Sequence, residues 1–235
     1  MNVLLVHAHP EPTSFVAALR DRAVETLTAE GHDVVVSDLY AEGWNPVAGP
    51  ADFVVRADPD RLSLQAEQAH ASRTGGFAPD LARELDRLER ADLVVFSFPL
   101  WWFGLPAILK GWVDRVFAFG RVYGGGRWYS DGALRGKRAM LALTTGGPEH
   151  IYTPDGINGD LETLLFPVHH GMFWFTGMQS VPPFVAWSAA RVDEATRAGY
   201  LDEYAERLRS AFDAEPLAFP GLDAYDTTLR LKSAS

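Results

Sequence analysis

The chain has 235 residues, no cysteine and a formal net charge of −10 at neutral pH. The lack of cysteine excludes disulfides, thiolate nucleophiles and cysteine-held metal clusters, and the acidic balance argues against a nucleic-acid-binding protein, whose surface would be basic. Apolar residues make up 47% of the chain, enough for one α/β domain to close a core without covalent staples.

Strands and helices alternate from the start of the chain. An apolar run predicts a strand over 3–8, and a helical period predicts a helix over 13–31. A second apolar run predicts a strand over 33–39. Residues 40–78 show no clear period, and irregular stretches of this length in compact domains are more often functional or interface-forming.

The middle of the chain repeats the alternation of helix and strand. A helix is predicted over 79–91, with a proline at its start, and a buried strand over 92–98. A second helix over 106–120 also begins at a proline. The run at 137–145 is apolar enough for a fourth buried strand.

The last third of the chain is less regular. The stretch after 160 has a helical period and is expected to end near Gly171. A fifth strand is predicted within 180–188, which contains two prolines. A long amphipathic helix covers 192–212, and the tail that follows has no recognisable pattern.

Near-continuous apolar strands separated by helices predict a parallel sheet covered on both faces. Five strands at this spacing fit a doubly wound, flavodoxin-like sheet with the strand order 2-1-3-4-5. We expect one such domain over 1–213 and an irregular C-terminal tail over 214–235.

In an open parallel sheet, ligands bind beyond the carboxyl ends of the strands. The segment after the first strand, HAHPEPTSF, places Thr13 and Ser14 at a helix N-terminus, where backbone N–H groups favour a phosphate. Both residues are equally typical as plain helix caps. His9 lies in the loop and suits an anionic ligand, whereas His7 is expected to be packed, and no metal site is predicted because a third ligand is lacking nearby.

The other two segments at this edge are FPLWWFG and TTGGPEHIY. In the first, three large aromatic residues, Trp101, Trp102 and Phe103, occupy a tight strand-to-helix corner, where loops are normally polar. In the second, Gly146 and Gly147 would let the backbone approach a flat ligand closely. An ordinary glycine-rich turn explains the second segment equally well.

No targeting or membrane-spanning segment is expected. The apolar run near the first residue lacks a basic start and a small-residue cleavage site. No window approaches the ~18 apolar residues of a membrane span, so no stable membrane insertion is expected. Together with the absence of cysteine, this leads us to expect a cytoplasmic protein.

Long motifs give a more specific indication. The segments FPLWWFGLPAILKGWVDRVF and TTGGPEHIY, with TSF (13–15), SDLY (37–40) and the YT..GI.GD pattern (152–160), occur in matching order and spacing in one family. On these motifs the chain closely resembles the flavin-dependent NAD(P)H:quinone oxidoreductases of the DT-diaphorase type.

The resemblance implies a flavodoxin-like fold with a C-terminal extension, in a two-fold homodimer. It implies two-electron, ping-pong reduction of a quinone or similar electrophile, with hydride passing from NADPH or NADH through flavin N5. The C-terminal extension and Arg197 favour FAD over the FMN used by short family members. NADH and NADPH are not distinguished, because the family lacks a dinucleotide fingerprint with an acidic ribose ligand.

The resemblance also assigns site residues. The predicted contacts to the flavin are His9, Thr13, Ser14, Phe15, Pro99, Leu100, Trp102, Phe103, Thr144, Thr145, Gly146, Gly147, Tyr152 and Arg197. Tyr123 and Phe175 would wall the substrate pocket, Phe175 from the partner subunit. Trp101 departs from the family pattern, and its apolar bulk at the pocket mouth is expected to alter substrate choice. Tyr152 would stabilise negative charge on the reduced flavin.

Two positions depart from the animal members of that family. Asn158 replaces a histidine six residues after the tyrosine, and Trp101 replaces a polar residue. Asparagine donates a hydrogen bond but takes up no proton near neutral pH, so a tyrosine–histidine proton relay does not carry over. Tyr152 is then expected to provide most of the charge stabilisation.

Two alternatives stay open at this point. A flat apolar slot over a flavin discriminates poorly among flat electrophiles, so an azo or nitro reductase fits the same residues. Flavodoxin-like relatives also serve as regulatory subunits of membrane potassium-efflux systems, and fold likeness alone does not separate that role from catalysis.

Overall fold

Four apolar runs form the centre of a parallel sheet in the computed structural model, which describes residues 1–232. They are β1 (Asn2–His7), β2 (Asp33–Asp38), β3 (Leu93–Pro99) and β4 (Arg138–Thr144). The sheet order is β2-β1-β3-β4, followed by a short β5 (Gln179–Ser180). This order confirms the predicted order 2-1-3-4-5, and all pairs are parallel, as expected.

The fifth position of the sheet is held by two short strands rather than one. After β5, the strand β6 (Phe184–Ala186) also pairs with β4 in parallel. Pro182 and Pro183 lie between them. Proline has no N–H to donate, so the strand pairing along β4 stops after Ala139 and resumes at Ala142, with two residues between them.

Six helices cover the sheet. They are α1 (Phe15–Ala29), α2 (Leu64–Thr74), α3 (Pro79–Arg90), α4 (Ala107–Val116), α5 (Leu161–Val168) and α6 (Glu194–Ser210). α1 and α6 pack on one face with alternate strand residues such as Val3 and Leu5. α3, α4 and α5 pack on the other face with Leu4 and Val6. The sheet is therefore buried on both sides, as its continuous apolar strands predict.

Helix α2 was not expected, because residues 40–78 show no apolar period. Its buried side chains are Glu67, Gln68 and Ala71, so the face that packs inward is polar. The Glu67 carboxylate accepts hydrogen bonds from the N–H groups of Ala57 and Asp58. This helix docks through buried hydrogen bonds, which leave no hydrophobic pattern in the sequence.

The long segment before α2 is anchored by one buried arginine of α4. The Arg115 guanidinium donates to Asp52 Oδ1 at 2.9 Å, to the Asn45 carbonyl at 2.9 Å and to Asp80 Oδ2 at 3.0 Å. Its guanidinium carbon lies 4.2 Å from the centre of the Trp44 ring. These contacts fix α4, the helix that directly follows the aromatic corner.

The helix expected to end near Gly171 continues past it. After α5, residues His169–Trp174 form a π-helical segment. Pro167 lies inside α5 and lacks an N–H, so the regular ladder is already broken one turn earlier. The wider segment that follows keeps Phe173 and His169 buried, and burial of these residues outweighs the cost of glycine in a helix.

The C-terminal tail is mostly irregular up to residue 232, with one short 3₁₀ turn at Leu222–Ala224. It is attached to the sheet where the Leu217 N–H donates to the Ser180 carbonyl at 2.7 Å. The domain boundary near 213 stays a prediction. The last three residues of the predicted tail, 233–235, lie outside the described range. Within residues 1–232, no helix has both the length and the apolar character needed to cross a membrane.

Candidate functional site

Three loops meet at the carboxyl edge of the sheet. Parallel pairing sets His7 opposite Ser97 and Pro99 opposite Thr144, so β1, β3 and β4 end close together. The loops that follow these strands border a cavity of about 770 Å³. The expected ligand position at this edge is therefore an actual concavity.

Twelve of the residues predicted to bind a flavin or its substrate line this cavity. They are His9, Thr13, Ser14, Phe15, Pro99, Leu100, Trp101, Trp102, Thr144, Thr145, Gly146 and Arg197. Six others do not line it: Phe103, Gly147, Tyr152, Asn158, Tyr123 and Phe175. The structure thus brings together most of the cofactor set and leaves part of the substrate set elsewhere.

The first loop ends in the N-terminus of α1. Ser14 is the N-cap, and its Oγ accepts a hydrogen bond from the Ala17 N–H at 3.2 Å. Thr13 instead donates its hydroxyl to Glu11 Oε1 at 2.7 Å and its N–H to the same oxygen at 3.0 Å. The Ser14 hydroxyl proton therefore remains free for a ligand, whereas the Thr13 proton is already donated.

Glu11 organises this loop. Its hydrogen bonds from Thr13 lower the pKa of the carboxyl group below its ordinary value, so it stays ionised at neutral pH. The Glu11 N–H donates to His9 Nδ1 at 3.0 Å, which leaves His9 Nε2 on the far side of the ring. His9 also lies 5.9 Å, centroid to centroid, from Trp101.

The aromatic corner, Trp101–Phe103, is a tight turn closed by the hydrogen bond from the Gly104 N–H to the Trp101 carbonyl at 3.1 Å. Trp102 and Phe103 have φ of 51° and 59°, in the left-handed region. That conformation costs roughly 1–2 kcal/mol for each non-glycine residue. It also turns Trp102 outward, so its side chain is 97% exposed at the mouth of the cavity.

The two glycines of the third loop have different roles. Gly146 lines the cavity, and nothing would contact a side chain placed there. At Gly147 a Cβ would lie 2.4 Å from Ile151 Cδ1 and 3.5 Å from Tyr152 Cε2. Gly146 therefore leaves the ligand side of the loop open, and Gly147 lets the loop carrying Tyr152 pack against it.

Tyr152 lies just beyond this wall and is largely buried. Its ring packs on Trp187, with centroids 5.5 Å apart. Its hydroxyl makes no hydrogen bond within residues 1–232, and the residue is 9% exposed. Asn158 lies in the same loop, where its N–H donates to the Ile151 carbonyl at 2.9 Å.

Trp187 is a residue that the sequence analysis missed. Its carbonyl accepts from the Tyr200 hydroxyl at 3.1 Å. The next residue, Ser188, donates its N–H to the Gly147 carbonyl at 3.1 Å. Ala189 and Ala190, also missed, line the cavity after β6. The rule that ligands bind at strand carboxyl ends would have found this fourth loop had β6 been placed correctly.

Tyr123 and Phe175 lie together in a separate aromatic cluster. Their ring centroids are 5.7 Å apart, and Tyr129 packs edge-on against Phe175 at 5.4 Å. Neither residue reaches the cavity of its own chain. The predicted role of both in a substrate pocket remains a prediction that one chain alone does not fulfil.

Arg197 and His7 lie in different surroundings, one at the cavity and the other in the core. Arg197 lines the cavity and donates one hydrogen bond to the Val192 carbonyl at 2.8 Å. His7 is buried, as expected, and burial lowers its pKa to about 4. In the described part of the chain, no group of three His, Asp or Glu side chains is placed to hold a metal ion.

Known proteins resemble this chain over most of its length. Residues 1–209 match a protein family described by its flavodoxin-like fold. A ribosyldihydronicotinamide dehydrogenase-like protein of Penicillium crustosum is 44% identical over 217 residues, 89% of this chain and 79% of that protein. The NAD(P)H dehydrogenase (quinone) 1 of Cavia porcellus is 38% identical over 224 residues, 95% of this chain and 82% of that protein. A crystal structure of a candidate quinone reductase from Klebsiella pneumoniae superposes with a TM-score of 0.95 at 38% identity, covering 99% of this chain and 94% of that chain.

Proposed function

Because this chain belongs to the flavodoxin-like family that includes the NAD(P)H dehydrogenases of quinones, we propose that it is a flavin-dependent NAD(P)H:quinone oxidoreductase. The cavity at the carboxyl edge of the sheet carries this proposal. It gathers eleven of the fourteen residues assigned to the flavin, from three separate loops and from α6.

The residues of the cavity suit a flavin. The N-terminus of α1 and the free Ser14 hydroxyl proton offer donors to a phosphate. Leu100, Trp101 and Trp102 offer apolar surface to a flat ring system. The open backbone at Gly146 admits a ring edge at close range. A bound flavin supplies the redox chemistry, accepting hydride from NAD(P)H and delivering it to the quinone.

The chain itself contributes binding and electrostatics. We assign to Tyr152 the role that the resemblance implies, a hydrogen bond donated to the flavin edge that gains negative charge on reduction. Its ring is held by packing on Trp187, and its hydroxyl makes no hydrogen bond within the described residues. Trp187 and Gly147 hold the Tyr152 ring from two sides. Asn158 takes up no proton near neutral pH, so a tyrosine–histidine relay has no histidine at that position.

We propose FAD rather than FMN as the flavin. The cavity is lined by Arg197, Ala189 and Ala190 in addition to the Thr144–Gly146 wall and the start of α1. The family resemblance assigns Arg197 to the adenine end of FAD, a part that FMN lacks. Arg197→Ala is expected to weaken FAD several-fold and leave FMN binding unchanged, as measured by fluorescence titration of the apoprotein. Arg191→Ala, an exposed arginine that does not line the cavity, is the matched control. Equal losses for FAD and FMN would contradict the assignment.

We also propose a homodimer, which the position of Phe175 and Tyr123 requires if they wall the substrate pocket. Neither lines the cavity of its own chain, so they reach a cavity only from a second copy. Trp102 and Ile157, 97% and 89% exposed, leave large apolar surface uncovered near the site. Light scattering on the purified protein tests this, and a monomer at micromolar concentration would remove Phe175 and Tyr123 from the pocket.

The hydride donor also needs to be identified by experiment. The relatives are named for two classes of dihydronicotinamide donor, NAD(P)H and ribosyldihydronicotinamide. Stopped-flow reduction of the bound flavin by NADPH, NADH and N-ribosyldihydronicotinamide ranks the donors directly. We expect NADPH or NADH to reduce the flavin within a single turnover.

The deciding experiment for the proposed function uses the purified protein. Heating should release a bound flavin that can be identified. The unheated protein should oxidise NAD(P)H when benzoquinone is added. Azo and nitro compounds run in parallel separate a quinone reductase from a general reductase. A regulatory subunit would bind flavin without turnover, and a protein that does not take up FAD or FMN would overturn the proposal.

A further inference from the structure

A second cavity, of about 400 Å³, lies between α5, the turn from β5 to β6 and the C-terminal tail. It shares no lining residue with the candidate flavin cavity. Its walls are mainly apolar: Leu161, Leu165, Phe166, Pro182, Pro183, Leu217, Ala218 and Phe219. The polar lining consists of Glu162, which is exposed, and His169.

His169 is the one polar group presented by the buried wall of this cavity. Its side chain is 4% exposed, and Nδ1 lies 2.6 Å from Ser180 Oγ. The Nδ1 contact with Ser180 is the one hydrogen bond of the His169 ring within residues 1–232, so Nε2 has no partner there. Burial lowers the His169 pKa to about 4, so the ring is neutral at pH 7. The imidazole thus faces the cavity with one hydrogen-bonding position unfilled.

The aromatic walls are held from behind. Phe166 and Phe219 meet edge to face, with centroids 6.3 Å apart. His170 stacks on Phe166 at 4.7 Å, and Trp174 stacks on Phe219 at 6.2 Å. The tail wall is fixed where the Leu217 N–H donates to the Ser180 carbonyl. A cavity with walls fixed in this way loses little conformational entropy when it is filled.

We propose that this cavity binds a small phenol, with the ring between the apolar walls and the hydroxyl hydrogen-bonded to His169 Nε2. Ser180 leaves the tautomer open, since its hydroxyl donates or accepts at Nδ1. A phenol hydroxyl donates or accepts equally, so it pairs with Nε2 in either tautomer. A hydrocarbon of the same shape leaves Nε2 unpaired, and an anion meets the carboxylate of Glu162 at the rim.

The test uses the flavin-loaded protein and isothermal titration with p-cresol, with toluene as the matched ligand that lacks the hydroxyl. Wild-type protein should bind p-cresol more tightly than toluene. His169→Leu removes the hydrogen-bonding nitrogen and keeps an apolar wall. We expect roughly fivefold weaker p-cresol binding and unchanged toluene binding, the size of one neutral hydrogen bond.

His169→Leu removes the hydrogen-bond partner of the buried Ser180, which can prevent folding. A second variant therefore tests the cavity without changing His169. Ala218→Trp fills the cavity from the exposed tail and should abolish binding of both ligands. Ala198→Trp, an exposed alanine on α6 outside the cavity, is the control and should leave both titrations unchanged. Undetectable p-cresol binding to the wild type, or binding unaffected by Ala218→Trp, would overturn the proposal.

Discussion

Two sets of aromatic residues lie within one strand–corner–helix unit, from β3 to α4. One set is buried and the other is exposed to solvent. Phe96 and Trp112 are fully buried and meet edge to face, with centroids 5.7 Å apart. Trp112 Nε1 also donates to Glu84 Oε2 at 2.8 Å. A few residues away, Trp101, Trp102 and Phe103 are exposed, two of them in the left-handed conformation.

This contrast separates residues that stabilise the fold from residues that the fold only presents. The buried pair gains stability from area, packing and a satisfied indole N–H. The corner carries backbone strain and leaves apolar surface in water, so the isolated chain gains nothing from it. The exposed corner therefore fits the role proposed for it, contact with a bound flavin.

The largest effect should come from the buried set. Trp112→Ala removes a fully buried ring and leaves the Glu84 carboxylate with one partner fewer, so we expect a loss of roughly 4 kcal/mol in the free energy of unfolding. Urea denaturation followed by circular dichroism measures it. A loss below ~1 kcal/mol would break the contrast, because the buried ring would then matter no more than the exposed ones.

The second effect concerns chemistry at the edge of the cavity. Tyr152→Phe keeps the ring that packs on Trp187 and removes only the hydroxyl. We expect flavin reduction by NAD(P)H to slow by about 10²-fold, as for the loss of one donor to a developing negative charge. Stopped-flow absorbance measures the rate, and the urea midpoint should stay unchanged. An unchanged rate would leave Tyr152 as a packing residue.

The third effect extends the contrast to the histidines. Burial lowers the pKa of His7 and of His169 from 6.5 to about 4, so the unfolded chain takes up these protons first as the pH falls. The stability each contributes is complete above pH 6.5 and is lost as the pH falls towards 4. By linkage, the lowered pKa of each histidine should reduce the free energy of unfolding by about 2 kcal/mol at pH 4.5 relative to pH 7.5.

Single variants isolate this term from the carboxyl groups, which also titrate in acid. His169→Gln should make the pH dependence of the unfolding free energy shallower between pH 7.5 and 4.5. His150→Gln, at an exposed position, is the matched control and should leave the slope unchanged. Identical slopes for both variants would show that His169 is not the source.

The smallest effect should appear at the corner itself. Trp102→Gly relieves the strain of φ 51° at an exposed position, so we expect a gain of roughly 0.5–1 kcal/mol in unfolding free energy. Flavin affinity should fall in the same variant, because the ring lines the cavity mouth. Flavin affinity, measured by fluorescence titration, should therefore fall while the free energy of unfolding, measured by urea denaturation, rises. A loss of stability together with unchanged flavin binding would place Trp102 with the buried set.

Much of the cavity was predictable from sequence, because it follows from one rule: ligands of an open parallel sheet bind beyond the carboxyl ends of its strands. Once β1, β3 and β4 are recognised as parallel strands, the segments after them must share an edge, and twelve assigned residues do line one cavity. The rule failed where the strand pattern failed. Pro182 and Pro183 divided the fifth strand, and the loop after β6 with Trp187, Ala189 and Ala190 was missed.

Helix α2 and the extension of α5 were missed for a related reason. α2 buries Glu67 and Gln68, and the segment after α5 is π-helical, so neither shows the apolar period on which helix prediction depends. Side-chain hydrogen-bond partners such as Ser180 for His169 are also invisible in a linear sequence, since they join residues from different elements.

The sequence by itself determined the sheet order, the edge at which the cavity lies and the family, because apolar runs, their spacing and long motifs are local properties of the chain. Only the tertiary structure decided which residues face the cavity. It separated Trp102 from Phe103 and Gly146 from Gly147, and it moved Tyr123 and Phe175 to another surface. These outcomes depend on backbone conformation and on packing between distant segments, which neighbouring residues in the chain do not fix.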